Sequence, residues 1–117
     1  MKENIIREKS YQFAIRIINF YKYLVYKQRE YILARQLLRS GTSIGANVEE
    51  AIGGQSRNDF IHKLSIAYKE ARETSYWIKL LKDTKIISNE ESLSLLSDCN
   101  EIIKILGAIQ KTTKNNL

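Results

Sequence analysis

Glu70 and Glu73, three residues apart, the sole histidine, His62, and the sole cysteine, Cys99, carry the side chains of this 117-residue sequence best suited to reactive chemistry. Two neighbouring carboxylates can divide acid and base roles when their environments drive their pKa values apart, but no pocket motif accompanies Glu70 and Glu73. Asp59-Phe60-Ile61-His62 has the carboxylate-to-histidine offset of a metal-binding helix. A di-iron site in a helical bundle needs such a pair from each of two helices, and one histidine cannot supply both. Nucleophilic catalysis of the Ser-His-Asp kind would have to use His62, which lies on a helical pattern without a strained nucleophile turn. No phosphate-binding glycine loop or dinucleotide fingerprint is present. Cys99 alone excludes an internal disulfide and a multi-cysteine zinc site, and reads as a small buried residue. The expectation is a protein with no catalytic residue, no metal and no cofactor.

Charge offers a different chemistry. The net charge is +6, and residues 1–39 hold nine Lys or Arg against three Glu, whereas the remainder is balanced. Lys22, Lys27, Arg29, Arg35 and Arg39 lie in this stretch, interleaved with Tyr23, Tyr26 and Tyr31. Cations contact phosphates and tyrosine rings stack on unpaired bases, so these five are candidate nucleic-acid contacts. No readout motif is present. Binding to RNA or DNA would therefore be backbone-driven, sequence-tolerant and salt-sensitive. The alternatives are a solvated basic face, tyrosines packed between helices, or a face that docks an acidic partner protein.

Four helices must position these residues. Proline is absent and glycine occurs only five times, which disfavours a turn-rich β fold. The first helix is expected from about Lys9 to Lys27, with Phe13, Ile17, Phe20 and Leu24 inward. The second spans about Glu30 to Ile52 on Leu33, Leu37, Ile44, Val48 and Ala51, and closes at Gly53-Gly54 in the left-handed conformation. The third starts at the cap Ser56-Arg57-Asn58-Asp59, packs Phe60, Leu64, Ala67, Ala71 and Ile78, and stops near Asp83. The fourth opens with the capping box Ser88-Asn89-Glu90-Glu91. Its expected seam is Leu93, Leu96, Ile103, Leu106 and Ile109, with fraying after Gln110. Short connections make neighbours antiparallel, giving an all-α, up-down-up-down four-helix bundle as a single domain over residues 1–117. Mobile ends are expected at about 1–8 and 112–117. No apolar run is long enough for a membrane span or signal peptide, so a soluble, cytoplasmic protein is expected, with no membrane partner.

Two stripes on these helices need partners. Gly41 and Gly45 share one face of the second helix, where they permit close approach of another backbone or, alternatively, a kink. Gln36, Ser40, Ser43, Asn47 and Glu50 line an edge of the same helix. The third helix carries Asp59, His62, Ile66, Glu70, Glu73, Trp77 and Leu80 at matching spacing. Ser43 and Asn47 are therefore expected to bond to Glu70 or Glu73, with Arg39 balancing the charge and Glu50 in the same structural network; otherwise both stripes are solvated. Ile66, Trp77 and Leu80 lie away from the third helix's seam, as do Ile15 and Tyr26 on the first and Leu95, Ile102 and Ile105 on the fourth. That is more apolar circumference than one bundle hides, so a homo-oligomer is expected with Ile66, Trp77 and Leu80 at the interface.

The stretch from Gln36 to Ala51, containing Ser43-Ile44-Gly45-Ala46-Asn47, and the stretch from Asp59 to Trp77, with its Glu70-x-x-Glu73, resemble the bacterial four-helix-bundle proteins encoded in intervening sequences of 23S ribosomal RNA genes. Lys9-Ser10, Phe13-Ala14 and Tyr21-Lys22-Tyr23-Leu24 extend the resemblance over nearly the whole chain. Gly45 stands where many members have proline, and Ala51 where many have glycine. The resemblance implies an antiparallel bundle assembling into a ring, commonly a homopentamer, with no established enzymatic activity. A related branch, the accessory variability proteins of diversity-generating retroelements, forms basic pentamers that bind nucleic acid and a reverse transcriptase. The combined expectation is a non-enzymatic oligomeric scaffold with a basic surface that binds RNA or DNA, or alternatively docks an acidic protein.

Overall fold

The computed structural model describes the backbone of residues 2–115 and the side chains of residues 4–113. Four helices, α1 (Lys2–Tyr26), α2 (Ile32–Ile52), α3 (Arg57–Asp83) and α4 (Asn89–Asn115), pack in an up-down-up-down bundle. Each helix packs on its sequence neighbour and α4 closes the bundle on α1, leaving α1 and α3 as one diagonal pair. The molecule is a rod of 47 × 21 × 20 Å.

The helix ends follow local chemistry. Ser56 accepts from the Asp59 N–H at 3.0 Å and starts α3. No return bond from Asp59 is formed among the described residues; its carboxylate lies against Gly54, where a Cβ would sit 2.5 Å from Oδ2. Ser88 and Glu91 form a reciprocal capping box: the Glu91 N–H donates to Ser88 Oγ and the Ser88 N–H to Glu91 Oε1, both at 3.1 Å. The Glu30 carboxylate accepts the Leu33 N–H at 2.8 Å and serves the first turn of α2.

The expected left-handed glycine after α2 does not occur. Gly53 has φ −83° and no described glycine has positive φ. The left-handed positions are instead Arg29, at φ 57°, and Lys85, at φ 64°. Lys85 closes α3 in a Schellman arrangement, its N–H donating to the Lys82 carbonyl and the Ile86 N–H to the Leu81 carbonyl.

The core runs the length of the rod. From α1 come Ile6, Phe13, Ile17 and Leu24; from α2, Leu37, Ile44, Val48 and Ala51; from α3, Leu64, Ala67, Ala71, Ile78 and Leu81. Phe20, Leu33 and Phe60 pack against this core only partly buried. The seam of α4 keeps the expected Leu96, Leu106 and Ile109, adds Leu95, Cys99 and Ile102, leaves Ile103 partly buried and excludes Leu93. Leu95, Cys99, Ile102, Leu106 and Ile109 are buried, and Leu93 is 65% exposed. The buried set repeats at 4-3-4-3 and needs Cys99 to complete it; the expected stripe had no apolar residue at that level of the helix.

The first helix also begins seven residues before the expected Lys9. Residues 4–8, placed in the mobile segment by sequence, form helix, and Ile6 is 1% exposed. One buried isoleucine anchors these turns, a signal too short to show periodicity. At the other end α4 continues past Gln110 to Asn115. An Arg57 N–H bonds the Thr113 carbonyl at 3.1 Å. Met1, Asn116 and Leu117 of the expected mobile ends lie outside the described residues.

Gly41 and Gly45 mark where α1 crosses α2. A Cβ on Gly41 would fall 2.8 Å from Cγ2 of fully buried Ile17, and one on Gly45 3.3 Å from the Ser10 carbonyl oxygen. α2 is unbroken through both, so close approach of α1 is their role.

Candidate polyanion surface and polar network

The bundle topology gathers the α1–α2 and α3–α4 connections at one end. Tyr23 and Gln28 from the first and Lys82, Lys85 and Ser88 from the second line a shared cleft of about 680 Å³. Lys22, Lys27, Arg29 and Arg35 belong to the same end of the bundle without lining the cleft, all exposed and without ion pairs among the described residues. Two carboxylates at this end are already engaged: Glu30 by the Leu33 N–H and Glu91 by the Ser88 N–H. Asp83 lies 3.8 Å from Lys82. Lys82 and Lys85 were not singled out from the sequence, although the up-down order places them beside Lys27 and Arg29.

Among the described residues, the other cations of the basic N-terminal third, Arg7, Lys9, Arg16 and Arg39, hold helices together. Arg7 pairs with Glu49 across α1 and α2. Lys9 meets Glu101 at 2.8 Å and Arg16 meets Asp98 at 2.7 Å, both across α1 and α4. The carboxylate beside Lys9 holds its ammonium above the usual lysine range.

Arg39 differs from the other four candidate cations. It faces α3 and pairs with both Glu70 and Glu73. Its guanidinium is raised further above the usual range, chiefly by the hydrogen bond to Glu73. Glu70 also accepts from Ser43 Oγ at 2.9 Å. Glu73 accepts the Trp77 indole N–H at 2.9 Å. That bond and Arg39 lower the Glu73 carboxyl below its ordinary value near 4.5, against the opposing effect of burial. Asn47 does not reach a glutamate; its amide donates to the Ser43 carbonyl at 2.8 Å. Glu50 pairs with Lys63 at 2.8 Å, a separate bridge between α2 and α3. Beneath these, the fully buried Thr74 hydroxyl donates to Ser40 Oγ at 2.9 Å, a pair the sequence reading did not anticipate.

Ile66, Trp77 and Leu80 are each half-buried rather than open. The Trp77 ring stands edge-on to Tyr76 with centroids 5.2 Å apart. Large apolar side chains exposed on the helix faces include Ile5, Tyr11, Ile15 and Ile18 of α1, Ile32 of α2, Tyr76 of α3 and Leu93 of α4. His62 is exposed on α3. Cys99 is enclosed, its thiol pushed up to about 12 by burial. Among the described residues no group of three or more His, Cys, Asp or Glu is arranged to hold a metal ion, and no helix is long and apolar enough to cross a membrane.

Comparison with known proteins places this architecture. No protein of curated function matches the chain. A crystal structure from Bacteroides thetaiotaomicron VPI-5482, of a protein with unknown function from the S23 ribosomal protein family, superposes with a TM-score of 0.93 at 53% identity, covering 95% of this chain and 99% of that one. The family model for the 23S rRNA-intervening sequence protein matches residues 2–108. The chain belongs to the 23S rRNA-intervening sequence protein family.

Proposed function

We propose that this protein is a non-catalytic, oligomeric helical scaffold whose loop end binds the phosphate backbone of single-stranded RNA or DNA. The observation that carries the binding is that four of the five candidate cations, Lys22, Lys27, Arg29 and Arg35, are exposed and unpaired among the described residues at the end where both connections meet, with Lys85 and the Asp83-paired Lys82 at that same end. Arg29 and Lys85 occupy left-handed backbone positions where glycine is the less strained residue. Strain held at two neighbouring loops in favour of a cation fits a surface selected for charge. Tyr26 and Tyr31, both exposed, offer stacking faces beside them.

The test is fluorescence anisotropy with a labelled single-stranded RNA across a salt series. Affinity should fall with rising salt with a slope of about −0.7 per phosphate contacted. Lys27→Gln/Arg29→Gln should weaken binding, whereas Arg39→Gln, whose partner is α3, should not. Absence of binding at low salt overturns the reading.

Assembly is supported by apolar side chains left at least partly uncovered on diagonal helices: the exposed Tyr11, Ile15 and Ile18 on α1, and the half-buried Ile66, Trp77 and Leu80 on α3. Unlike apolar faces on opposite corners suit a head-to-tail contact, the kind that closes into rings.

A further inference from the structure

A second cationic site lies away from the loop end, in the groove between α3 and α4. Its walls are Arg72, Ser75, Tyr76 and Lys79 from α3, and Asn100 and Ile103 from α4, around about 320 Å³. Arg72, Ser75 or Tyr76, and Lys79 follow the three-four-seven spacing that puts side chains along one helix face. Five of the six can donate hydrogen bonds, and no carboxylate lines the groove among the described residues. The acids near these residues in sequence pair elsewhere: Glu70 and Glu73 with Arg39 on the α2 side, Asp98 with Arg16 and Glu101 with Lys9 on the α1 side, while Asp83, one turn beyond Lys79, lies 3.8 Å from Lys82 and lines the loop-end cleft. Neither Arg72 nor Lys79 has an ion pair among the described residues. Most other clefts of this molecule mix signs. The α1–α4 cleft holds Lys9 and Arg16 together with Glu8, Asp98 and Glu101, and the loop-end cleft holds Asp83 and Glu91.

Two unpaired positive charges separated by hydroxyl and amide donors match an oxyanion with several acceptor oxygens. Arg72 can present two parallel N–H groups, the geometry that suits phosphate, while Lys79 acts as a point charge. The carboxylates' absence matters as much as the cations' presence, because a like charge in so small a groove would repel the ligand. The volume admits a single phosphoryl group with its substituent and is too small for a folded partner. We infer that the α3–α4 groove binds a phosphoryl group, held between Arg72 and Lys79 with Ser75, Tyr76 and Asn100 donating to its oxygens. The site stands on residues distinct from those at the loop end, so it holds or fails independently of nucleic-acid binding there.

The experiment is a titration of the purified, full-length protein with inorganic phosphate at constant ionic strength, followed by the NMR signals of the Asn100 side-chain amide and the Arg72 Nε–H. Saturable shifts confined to this groove are expected. Arg72→Gln/Lys79→Gln should weaken the affinity by about tenfold or more, as expected for loss of two charge-assisted contacts. The exposed position of both residues leaves the fold intact in that variant, which its unchanged helical circular dichroism checks. No saturable shift with phosphate, or the same affinity in the double variant, overturns the inference. Uridine monophosphate and a short single-stranded RNA form the remaining arms. Saturation of the groove by the monophosphate alone identifies a free phosphomonoester as the ligand; saturation by the RNA, with loss of RNA affinity in the groove variant, identifies a backbone phosphate. Phosphate binding at the groove without RNA binding at the loop end sustains this site and removes the other.

Discussion

Lys85 holds a φ of 64°, a backbone conformation that favours glycine. Glycine would be freer there, but it would also loosen the unfolded chain. Lys85→Gly is therefore expected to raise stability modestly, by about 0.5–1 kcal/mol, in urea unfolding. The same substitution should weaken RNA binding, separating stability from function at a single position. Glu73 makes a prediction of a different kind. Its folded-state pKa is lowered by Trp77 and Arg39, so its contribution to stability is present above the ordinary carboxyl value near 4.5 and is lost as pH falls through the lower folded value. The stability gap between the native protein and Glu73→Gln should shrink across that acidic window. Trp77 is the only tryptophan, so its emission should follow the same titration in the native protein and lose it in the variant. The residue-level chemistry was legible where two partners were both polar and at matching heptad levels, as with Ser43 and Glu70. It was not legible for Asn47, whose own helix offered the nearer Ser43 carbonyl. Nor was it for Arg29 and Lys85, because nothing in their type announces a left-handed backbone.

At the scale of elements, the N-caps of α3 and α4 and most of the inward faces of α1 to α3 were written in residue type and spacing, whereas the glycine C-cap expected after α2 was not formed. Ser56 and the Ser88–Glu91 box start their helices as the pattern requires. α4 was ambiguous because it carries apolar residues on more than one side, and the residue that decides between them is a cysteine. Ile102, buried, and Leu93, exposed, test the observed seam directly. Truncating buried Ile102 to alanine should cost about 2–5 kcal/mol, while Leu93→Ala should stay within about 0.5 kcal/mol. The crossing of α1 over α2 makes a further prediction. Gly41→Ala improves helix propensity by about 1 kcal/mol, but the new methyl meets the branched carbon of Ile17, which cannot swing away. Overpacking of this kind outweighs the gain, and the variant should be less stable by about 1–2 kcal/mol in thermal or urea unfolding.

For the whole molecule, topology converts two sequence-distant loops into one surface and separates two apolar faces. A net-charge count over residues 1–39 pointed to the basic third. Only the folded order shows that Arg7, Lys9, Arg16 and Arg39 tie helices together while Lys22, Lys27, Arg29 and Arg35 stay unpaired among the described residues. If α1 of one copy meets α3 of the next, Ile15→Glu and Leu80→Glu should each break assembly, as read by light scattering. Mixed together, the two variants keep one intact contact between unlike protomers and should yield dimers but no closed ring; a like-with-like interface would give no such complementation. Cys99 adds a clock to the same rod. Its sulfur donates to the Ala71 carbonyl at 3.3 Å within the α3–α4 seam, and its thiol is held up to about 12. An alkylating reagent meets neither an exposed sulfur nor a thiolate while those two helices stay together. The rate at which it consumes the thiol therefore times how often the rod comes apart along its length, with no label or engineered probe required.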